Sequence, residues 1–177
     1  LVWDSNPYNP VKDSVIVTVD QPEFSCGSDS IRDVDNNKYP TVQIEDQCWI
    51  SQNLKTTHRP DNYNVEITGK YCRELYCLNK EGAHYSWESA LNGSEGAESD
   101  EAEIQGICPE GWHIPTLGEW EELDSILNIA GNYGEGFFSG QKLKGANSSS
   151  GFNALLTGNW GYTVYENAGQ ASFWTSN

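Results

Sequence analysis

The sequence lacks several features that would point to common classes of protein. It contains no methionine in its 177 residues, even at position 1, so we expect a processed chain or a part of a longer product. No apolar run approaches the roughly 20 residues of a membrane-spanning helix, and no signal peptide is recognisable. We therefore expect no membrane span in this segment and a targeting signal that has already been lost.

Basic residues are also scarce. The sequence has 10 Lys and Arg against 26 Asp and Glu, a net charge of -16, which repels a phosphate backbone. This charge excludes nucleic acid as an expected partner. An acidic exterior mainly keeps a protein soluble, although it also offers oxygen ligands to divalent cations. We therefore expect no cofactor, with calcium as the one exception that the composition leaves open.

The five cysteines have no zinc-like spacing, because the sequence contains neither a double C-x-x-C array nor a Cys/His cluster. This favours disulfide bonds and an extracellular compartment. The sequence alone leaves the pairing open. Cys72 and Cys77 are close enough to bridge locally, and a Cys48–Cys108 bridge would contribute roughly 4 kcal/mol through its longer loop. Cys26 would then be left over.

The most informative stretch that is present runs from Cys108 to Trp120 as CPEGWHIPTLGEW. Thr116 and Glu119 have the spacing of a capping box, which predicts that a helix begins here. Apolar residues behind it recur every three or four positions, as on one buried helix face: Leu117, Trp120, Leu123 and Leu127. Gly131 is suited to end this helix.

Shorter elements are predicted elsewhere in the chain. In chain order they are a hairpin within residues 31–50, a loop over 61–78, a short helix over 85–91, a helical turn near 141–143, and strands over 152–156 and 171–175. The β-branched run 14–19 resembles the last strand of an immunoglobulin-like module. We expect residues 1–21 to be the tail of a preceding module or a linker arm, and residues 22–177 to form the main domain.

Asp33, Asp35 and Asn37 alternate like the first ligands of a calcium loop. The motif is incomplete, because no glycine stands at its sixth position and Ile44 at its twelfth supplies no carboxylate. These residues are weak calcium candidates. The favoured alternative is a turn in which Asp and Asn side chains bond to nearby backbone groups.

The segment NWGYTVYEN, residues 159–167, is the best binding candidate in the sequence. Aromatic faces can stack on sugars or peptide side chains, while Asn and Glu orient a ligand by hydrogen bonds. The candidate ligand-binding residues are Trp160, Tyr162, Tyr165, Glu166 and Asn167. The structural alternative is that these aromatic rings pack into the core or under a turn.

No arrangement of side chains predicts catalysis. His113 lies between two apolar residues in an expected buried strand, where it needs a hydrogen-bond partner. The acids Glu119, Glu121 and Glu122 are typical of a solvated helix face. The cysteines are assigned to disulfides, which leaves no obvious nucleophile. We therefore expect no catalytic residues and no enzyme activity.

Five stretches, in order along the chain, carry a family resemblance. They are TVQIEDQCWISQNLKT (41–56), YSW (85–87), CPEGWHIPTLGEW (108–120), SGFNAL (150–155) and ASFWTS (171–176). Together they resemble the Fibrobacter succinogenes major paralogous domain from about residue 31 to the last residue. The resemblance implies an α+β, C-type-lectin-like fold, similar also to formylglycine-generating enzymes. Such a fold is irregular and disulfide-stapled, with short antiparallel strands and two short helices.

The resemblance also implies a location and an explanation for the odd cysteine. Proteins of this family are secreted or lie on the surface of Bacteroidetes and Fibrobacteres, often as lipoproteins, so we expect an extracellular or outer-membrane-surface location. The family usually continues to a further Cys-containing strand. We therefore expect the closing strands, and the partner of Cys26, to lie outside this chain segment, with a free or intermolecular Cys26 as the alternative.

These observations predict a binding or adhesion module that recognises a glycan or an envelope protein through exposed aromatic loops. The alternative is a structural subunit or module of an extracellular assembly, formed with neighbouring copies. An oxidase-like enzyme related to formylglycine-generating enzymes is less favoured. Such an enzyme would need a late copper-binding cysteine pair, and no cysteine follows Cys108.

Overall fold

Short antiparallel strand pairs and three helices make up the described part of the chain, an α+β arrangement. The computed structural model describes residues 23–72, 81–99, 102–128, 137–145, 148–160, 165–166 and 169–177. The strands are β1 Ser30–Arg32, β2 Lys38–Ile44, β3 Gln47–Ile50, β4 His58–Arg59, β5 Asn62–Glu66, β6 Lys70–Tyr71, β7 His84–Tyr85, β8 Asn159–Trp160 and β9 Tyr165–Glu166. The helices are α1 Trp87–Ala90, α2 Leu117–Asn128 and α3 Phe137–Leu143.

Strand β2 is the centre of a three-stranded antiparallel sheet of order β1-β2-β3. Successive side chains of a strand point to opposite faces. Tyr39 and Thr41 are therefore buried on one face, and Val42 and Ile44 contribute to the main hydrophobic core on the other. The hairpin predicted within residues 31–50 is confirmed, and β3 adds a second one.

The predicted capping box of α2 is confirmed. The Thr116 backbone N–H donates to Glu119 Oε2 at 2.8 Å, and the Glu119 N–H donates to Thr116 Oγ1 at 3.2 Å. Leu123 and Leu127 are buried as expected, whereas Leu117 is 51% exposed. Its assignment to the buried face is wrong, because the core that contacts this helix begins one turn later, at Trp120. Gly131 lies outside the described residues.

Two hydrophobic clusters hold the described elements together. The main core consists of Ile44, Trp49, Leu123, Leu127, Phe152 and Ala154. The second cluster consists of Ala90, Leu91, Cys108 and Ile114. Gly106 allows this second cluster to close, because a Cβ atom there would lie 2.2 Å from the Ala90 carbonyl oxygen. The two clusters place the sheet and α2 on one side and α1 on the other.

The predicted Cys48–Cys108 disulfide is wrong, and so is the prediction that Cys26 pairs outside this chain. Cys26 bonds to Cys48, with their Cα atoms 6.0 Å apart. The physical reason is that residues 25–29 fold back over β2, where the Gly27 N–H donates to Thr41 Oγ1 at 3.0 Å. Cys48 of β3 pairs in register with Gln43 of β2, so the two sulfur atoms meet.

Cys108 is a free, buried thiol. It packs among the apolar residues of the second cluster, and burial raises its pKa to about 12. It is therefore protonated at neutral pH and is a poor nucleophile. Cys72 is disulfide-bonded, but Cys77 lies outside the described residues, so the Cys72–Cys77 pairing stays a prediction.

The remaining element predictions are confirmed in part. The short helix is present as α1, capped by the Ser86 hydroxyl, which accepts from the Ser89 N–H. The expected loop over 61–78 instead contains β5 and β6. The strands expected at 152–156 and 171–175 form only isolated bridges. In the first of them, Asn153, with φ of 60°, interrupts an extended conformation.

Two further sequence predictions concern termini and membranes. Residues 1–21, including the run 14–19, lie outside the described residues. Among the helices that are described, none combines the length and apolar character needed to cross a membrane.

Candidate functional site

Four large apolar side chains lie exposed around the segment 172–177, and we call them the aromatic surface. Trp87, Leu117, Phe173 and Trp174 have exposed fractions of 39%, 51%, 41% and 49%. Single exposed apolar residues are common on proteins. A group of them around one segment is typical of an interaction site.

Hydrogen bonds fix the orientation of the tryptophan rings in this surface. The Trp87 indole N–H donates to the Thr175 carbonyl oxygen at 3.1 Å, and the Trp174 indole N–H donates to the Tyr85 carbonyl oxygen at 2.8 Å. Each indole thus has its only polar group satisfied by backbone. The exposed remainder of each ring is apolar and already ordered. The stacking of a ligand on it therefore loses little additional side-chain entropy.

A chain of ring contacts connects the aromatic surface to the core. The Phe173 ring centroid lies 5.3 Å from that of Trp120, and the Trp120 centroid lies 4.8 Å from that of Trp49. Phe173 also makes an edge-to-face contact with Phe152 at 5.8 Å. Such pairs contribute about 0.5–1.5 kcal/mol each beyond area burial. The exposed Phe173 is therefore supported from below by buried rings.

Backbone hydrogen bonds hold the segment that carries Phe173 and Trp174. The Ser176 N–H donates to the Pro115 carbonyl oxygen at 2.9 Å, and the Ala97 N–H donates to the Ser176 carbonyl oxygen at 2.6 Å. Gly96 allows this close approach, since a Cβ atom there would lie 3.1 Å from both that oxygen and the Trp87 ring. The segment is thereby clamped between α1 and the start of α2.

Strands β8 and β9 carry those of the sequence-predicted binding residues that the structure describes. Strands β8 and β9 pair with Trp160 opposite Tyr165 and Asn159 opposite Glu166, so the fold brings three of the predicted residues into one strand pair. Gly158, which precedes β8, bridges to Ala171, two residues before Phe173. Tyr162 and Asn167 lie outside the described residues.

The weak calcium candidates have hydrogen-bond partners within the protein. Asp33 Oδ1 accepts from the Asn37 backbone N–H at 2.8 Å, and Asp33 Oδ2 accepts from Asn37 Nδ2 at 2.8 Å and from the Tyr39 hydroxyl at 2.6 Å. This is the side-chain-bonded turn that the sequence offered as the alternative. In the described ranges no group of three or more His, Cys, Asp or Glu side chains could hold a metal ion.

Asp35 instead organises the chain that follows β3. Its Oδ2 atom accepts from the Thr56 hydroxyl at 3.1 Å and from the backbone N–H groups of Thr57 and His58, and its Oδ1 atom pairs with His58 Nδ1. Burial opposes ionisation of Asp35, but these hydrogen bonds outweigh it and lower its pKa to about 2 from 3.8. The carboxylate is therefore ionised across the neutral range.

The depressed pKa of Asp35 predicts acid sensitivity. A lowered folded-state pKa stabilises the fold above the unfolded pKa, and this contribution is lost as pH falls through the folded value. We expect about 2 kcal/mol of the free energy of unfolding to disappear between about pH 5 and pH 2. Urea unfolding of the wild type and of Asp35→Asn across this pH range separates the contribution of Asp35 from those of the other acidic residues. Parallel pH profiles for the two proteins would contradict it.

A polar cluster that sequence reasoning missed lies next to Asp35. The Lys70 ammonium donates to Thr57 Oγ1 at 2.6 Å and to the Lys55 carbonyl oxygen at 3.1 Å. Burial lowers the pKa of Lys70, which the neighbouring acids oppose. Burial and the bond to Asp33 raise the pKa of the Tyr39 phenol, so that it remains a donor. No spacing in the sequence could reveal this cluster, because it joins β2, the segment before β4, and β6.

His113 has the partner that its predicted burial required. Its Nε2 atom lies 2.8 Å from Glu119 Oε1, and the same carboxylate completes the capping box. Glu119 therefore has a structural role, and the helix face carrying Glu121 and Glu122 is exposed. This arrangement supports the structural interpretation of these acids.

Comparisons with known proteins give one match. The model of the Fibrobacter succinogenes major domain family matches residues 42–177, which is most of the chain. No curated protein and no solved structure is significantly similar to it. Because the match covers most of the chain, including β3, the three described helices and the aromatic surface, the chain belongs to the Fibrobacter succinogenes major domain family.

Proposed function

We propose that this domain is a binding module, secreted or displayed on a bacterial surface, that recognises a glycan through its exposed aromatic side chains. The observation that carries the proposal is the pair of half-exposed indoles, Trp87 and Trp174, whose N–H groups are bonded to backbone. Sugars present apolar C–H faces to such rings. An envelope protein is the other ligand that this surface could accept.

The β8–β9 pair extends the proposed site. Trp160 and Tyr165 are register partners, and Asn159 and Glu166 are their neighbours. This composition combines rings for stacking with an amide and a carboxylate for hydrogen bonds to hydroxyl groups. We include Trp160, Tyr165 and Glu166 in the proposed binding region on this basis, and we include Tyr162 and Asn167 from the sequence prediction alone.

The proposal includes location, fold and the absence of catalysis. The Cys26–Cys48 disulfide supports an oxidising, extracellular compartment. The mixture of short antiparallel strands, few helices and a disulfide is compatible with a C-type-lectin-like fold, which we propose. A role without enzyme activity is supported by Cys108, whose burial leaves its thiol protonated.

Replacement of Trp174 by alanine tests the proposed function. We expect the Kd for a bound neutral tetrasaccharide to rise about thirtyfold, because a central aromatic contact is typically worth about 2 kcal/mol. Calorimetric titration with glucose-, mannose- and N-acetylglucosamine-based tetrasaccharides measures this change. Tyr63→Ala is the matched control, since Tyr63 is 58% exposed on β5 and lies outside the aromatic surface.

The competing function is a structural subunit of an extracellular assembly, favoured by the apolar character of the same surface. In that case the wild type would bind no saccharide but would self-associate as its concentration rises. Trp174→Ala would then abolish self-association. Equal saccharide affinity for the wild type and Trp174→Ala would contradict recognition through this surface.

A further inference from the structure

An open, polar cleft lies apart from the aromatic surface. It has a volume of about 330 Å³, and its walls are the turn between β4 and β5, the loop after α1, and residues 103–106. This volume is at the lower end of the range of small-molecule sites. Its polar lining consists of Asp61, Asn92, Ser94, Glu103 and Gln105.

One wall of the cleft is fixed by a hydrogen-bonded network. Asp61 accepts two bonds from Arg59, at 3.1 and 3.0 Å, and one from Asn92 Nδ2 at 3.0 Å. A carboxylate has about four lone-pair sites, so Asp61 can accept a further bond. The charge of this carboxylate is balanced by the guanidinium, and the wall is ordered without a ligand.

The wall formed by residues 103–106 adds hydrogen-bond donors and acceptors. Gln105 Nε2 donates to the Cys108 carbonyl oxygen at 3.0 Å, which orients the amide and leaves its oxygen and second N–H able to bond. The Glu103 side chain is 74% exposed, and its carboxylate lies 3.9 Å from His113 Nδ1. The cleft therefore offers both hydrogen-bond donors and acceptors from side chains on two walls.

The chemistry of these lining groups indicates which class of ligand the cleft can bind. The Glu103 carboxylate and the net charge of -16 of the chain repel phosphates, sulfates and uronic acids. Two amides and a hydroxyl match a ligand that both donates and accepts at closely spaced positions. We propose that the cleft binds one neutral sugar unit through its hydroxyl groups, which rests on the proposed function for the choice of a glycan.

The loop after α1 connects the cleft to the aromatic surface. Ser94 lines the cleft, and two residues later Gly96 packs against the Trp87 ring. An oligosaccharide that stacks on the aromatic surface could thus extend a further unit toward the cleft. The two contacts would act as subsites of one extended site.

Titration of the isotope-labelled protein with the same neutral tetrasaccharides, followed by backbone amide NMR signals, tests the inference. We expect the signals of Gly93, Ser94, Gln105 and Gly106 to shift. We also expect the double variant Ser94→Ala/Glu103→Gln to weaken binding about tenfold, since it removes one ligand hydrogen bond and replaces a charge-assisted bond with a weaker neutral one. Glu95→Gln is the control, because Glu95 is an exposed neighbour outside the cleft lining.

The outcomes separate this inference from the proposed function. Shifts at the cleft together with weaker binding by the double variant support it. Saccharide binding that is lost in Trp174→Ala but unchanged in the double variant, with no shifts at the cleft, would overturn the cleft and leave the proposed function intact. Binding lost in the double variant but unchanged in Trp174→Ala would support the cleft and contradict the aromatic surface.

Discussion

Replacing Asp35 with alanine is expected to lower the free energy of unfolding by about 3 kcal/mol or more. The carboxylate accepts bonds from two backbone N–H groups, a hydroxyl and the His58 ring. Removing it leaves several partly buried donors unpaired, and each unsatisfied donor typically costs about 1–3 kcal/mol. The loss should appear in urea unfolding at neutral pH.

Two variants control for this experiment. Asp46→Ala removes an exposed carboxylate from the β2–β3 turn and should change stability by less than about 0.5 kcal/mol. Asp35→Asn keeps one acceptor oxygen and should give an intermediate loss. If Asp35→Ala were as stable as Asp46→Ala, Asp35 would not organise residues 56–58.

Removal of the Cys26–Cys48 disulfide should give the second large effect. The bridge spans a sequence separation of 22, for which loop-closure entropy predicts a loss of about 3 kcal/mol in Cys26→Ser/Cys48→Ser. The bridge attaches residues 25–29 to the central sheet, so proteolysis near this segment should also accelerate in the variant. Chemical denaturation of the oxidised wild type and the double variant measures the difference.

Chemical reduction is the control for this test. A reducing agent should lower the free energy of unfolding of the wild type. It should change that of the double variant only through the disulfide of Cys72. Peptide mapping of the oxidised protein should recover Cys26 linked to Cys48 and an unmodified Cys108. A Cys48–Cys108 peptide would contradict the arrangement described here.

Local features of the sequence predicted local structure well. The capping box at Thr116 and Glu119 and the Asp/Asn-rich turn before β2 each depend on residues within a few positions of one another. Hydrogen bonding within such segments decides their conformation. The family resemblance was also carried by such short stretches, and the family match confirms it.

Features that depend on tertiary contacts could not be predicted in the same way. The Cys26–Cys48 pair forms because residues 25–29 fold over β2, which cysteine spacing does not encode. The alternation of Asp33 and Asp35 in the sequence is typical of a calcium loop, yet in the fold the two carboxylates bond to different partners. The exposure of Leu117 depends on where the core ends, and helical periodicity cannot show this.

None of the four residues of the aromatic surface is among the binding residues predicted from the sequence. The sequence predicts ligand binding by residues 159–167, whereas the aromatic surface that the structure describes consists of Trp87, Leu117, Phe173 and Trp174. The family-like stretches YSW and ASFWTS contain three of these four residues. Their indole bonds join segments about 88 residues apart, so only the folded chain brings them together.

The most direct test of recognition through the aromatic surface is an NMR titration that follows the indole N–H signals of the seven tryptophans. On saturation with a bound neutral tetrasaccharide, we expect the signals of Trp87 and Trp174 to shift, while that of the core residue Trp49 stays in place. Unchanged Trp87 and Trp174 signals at saturation would contradict the account.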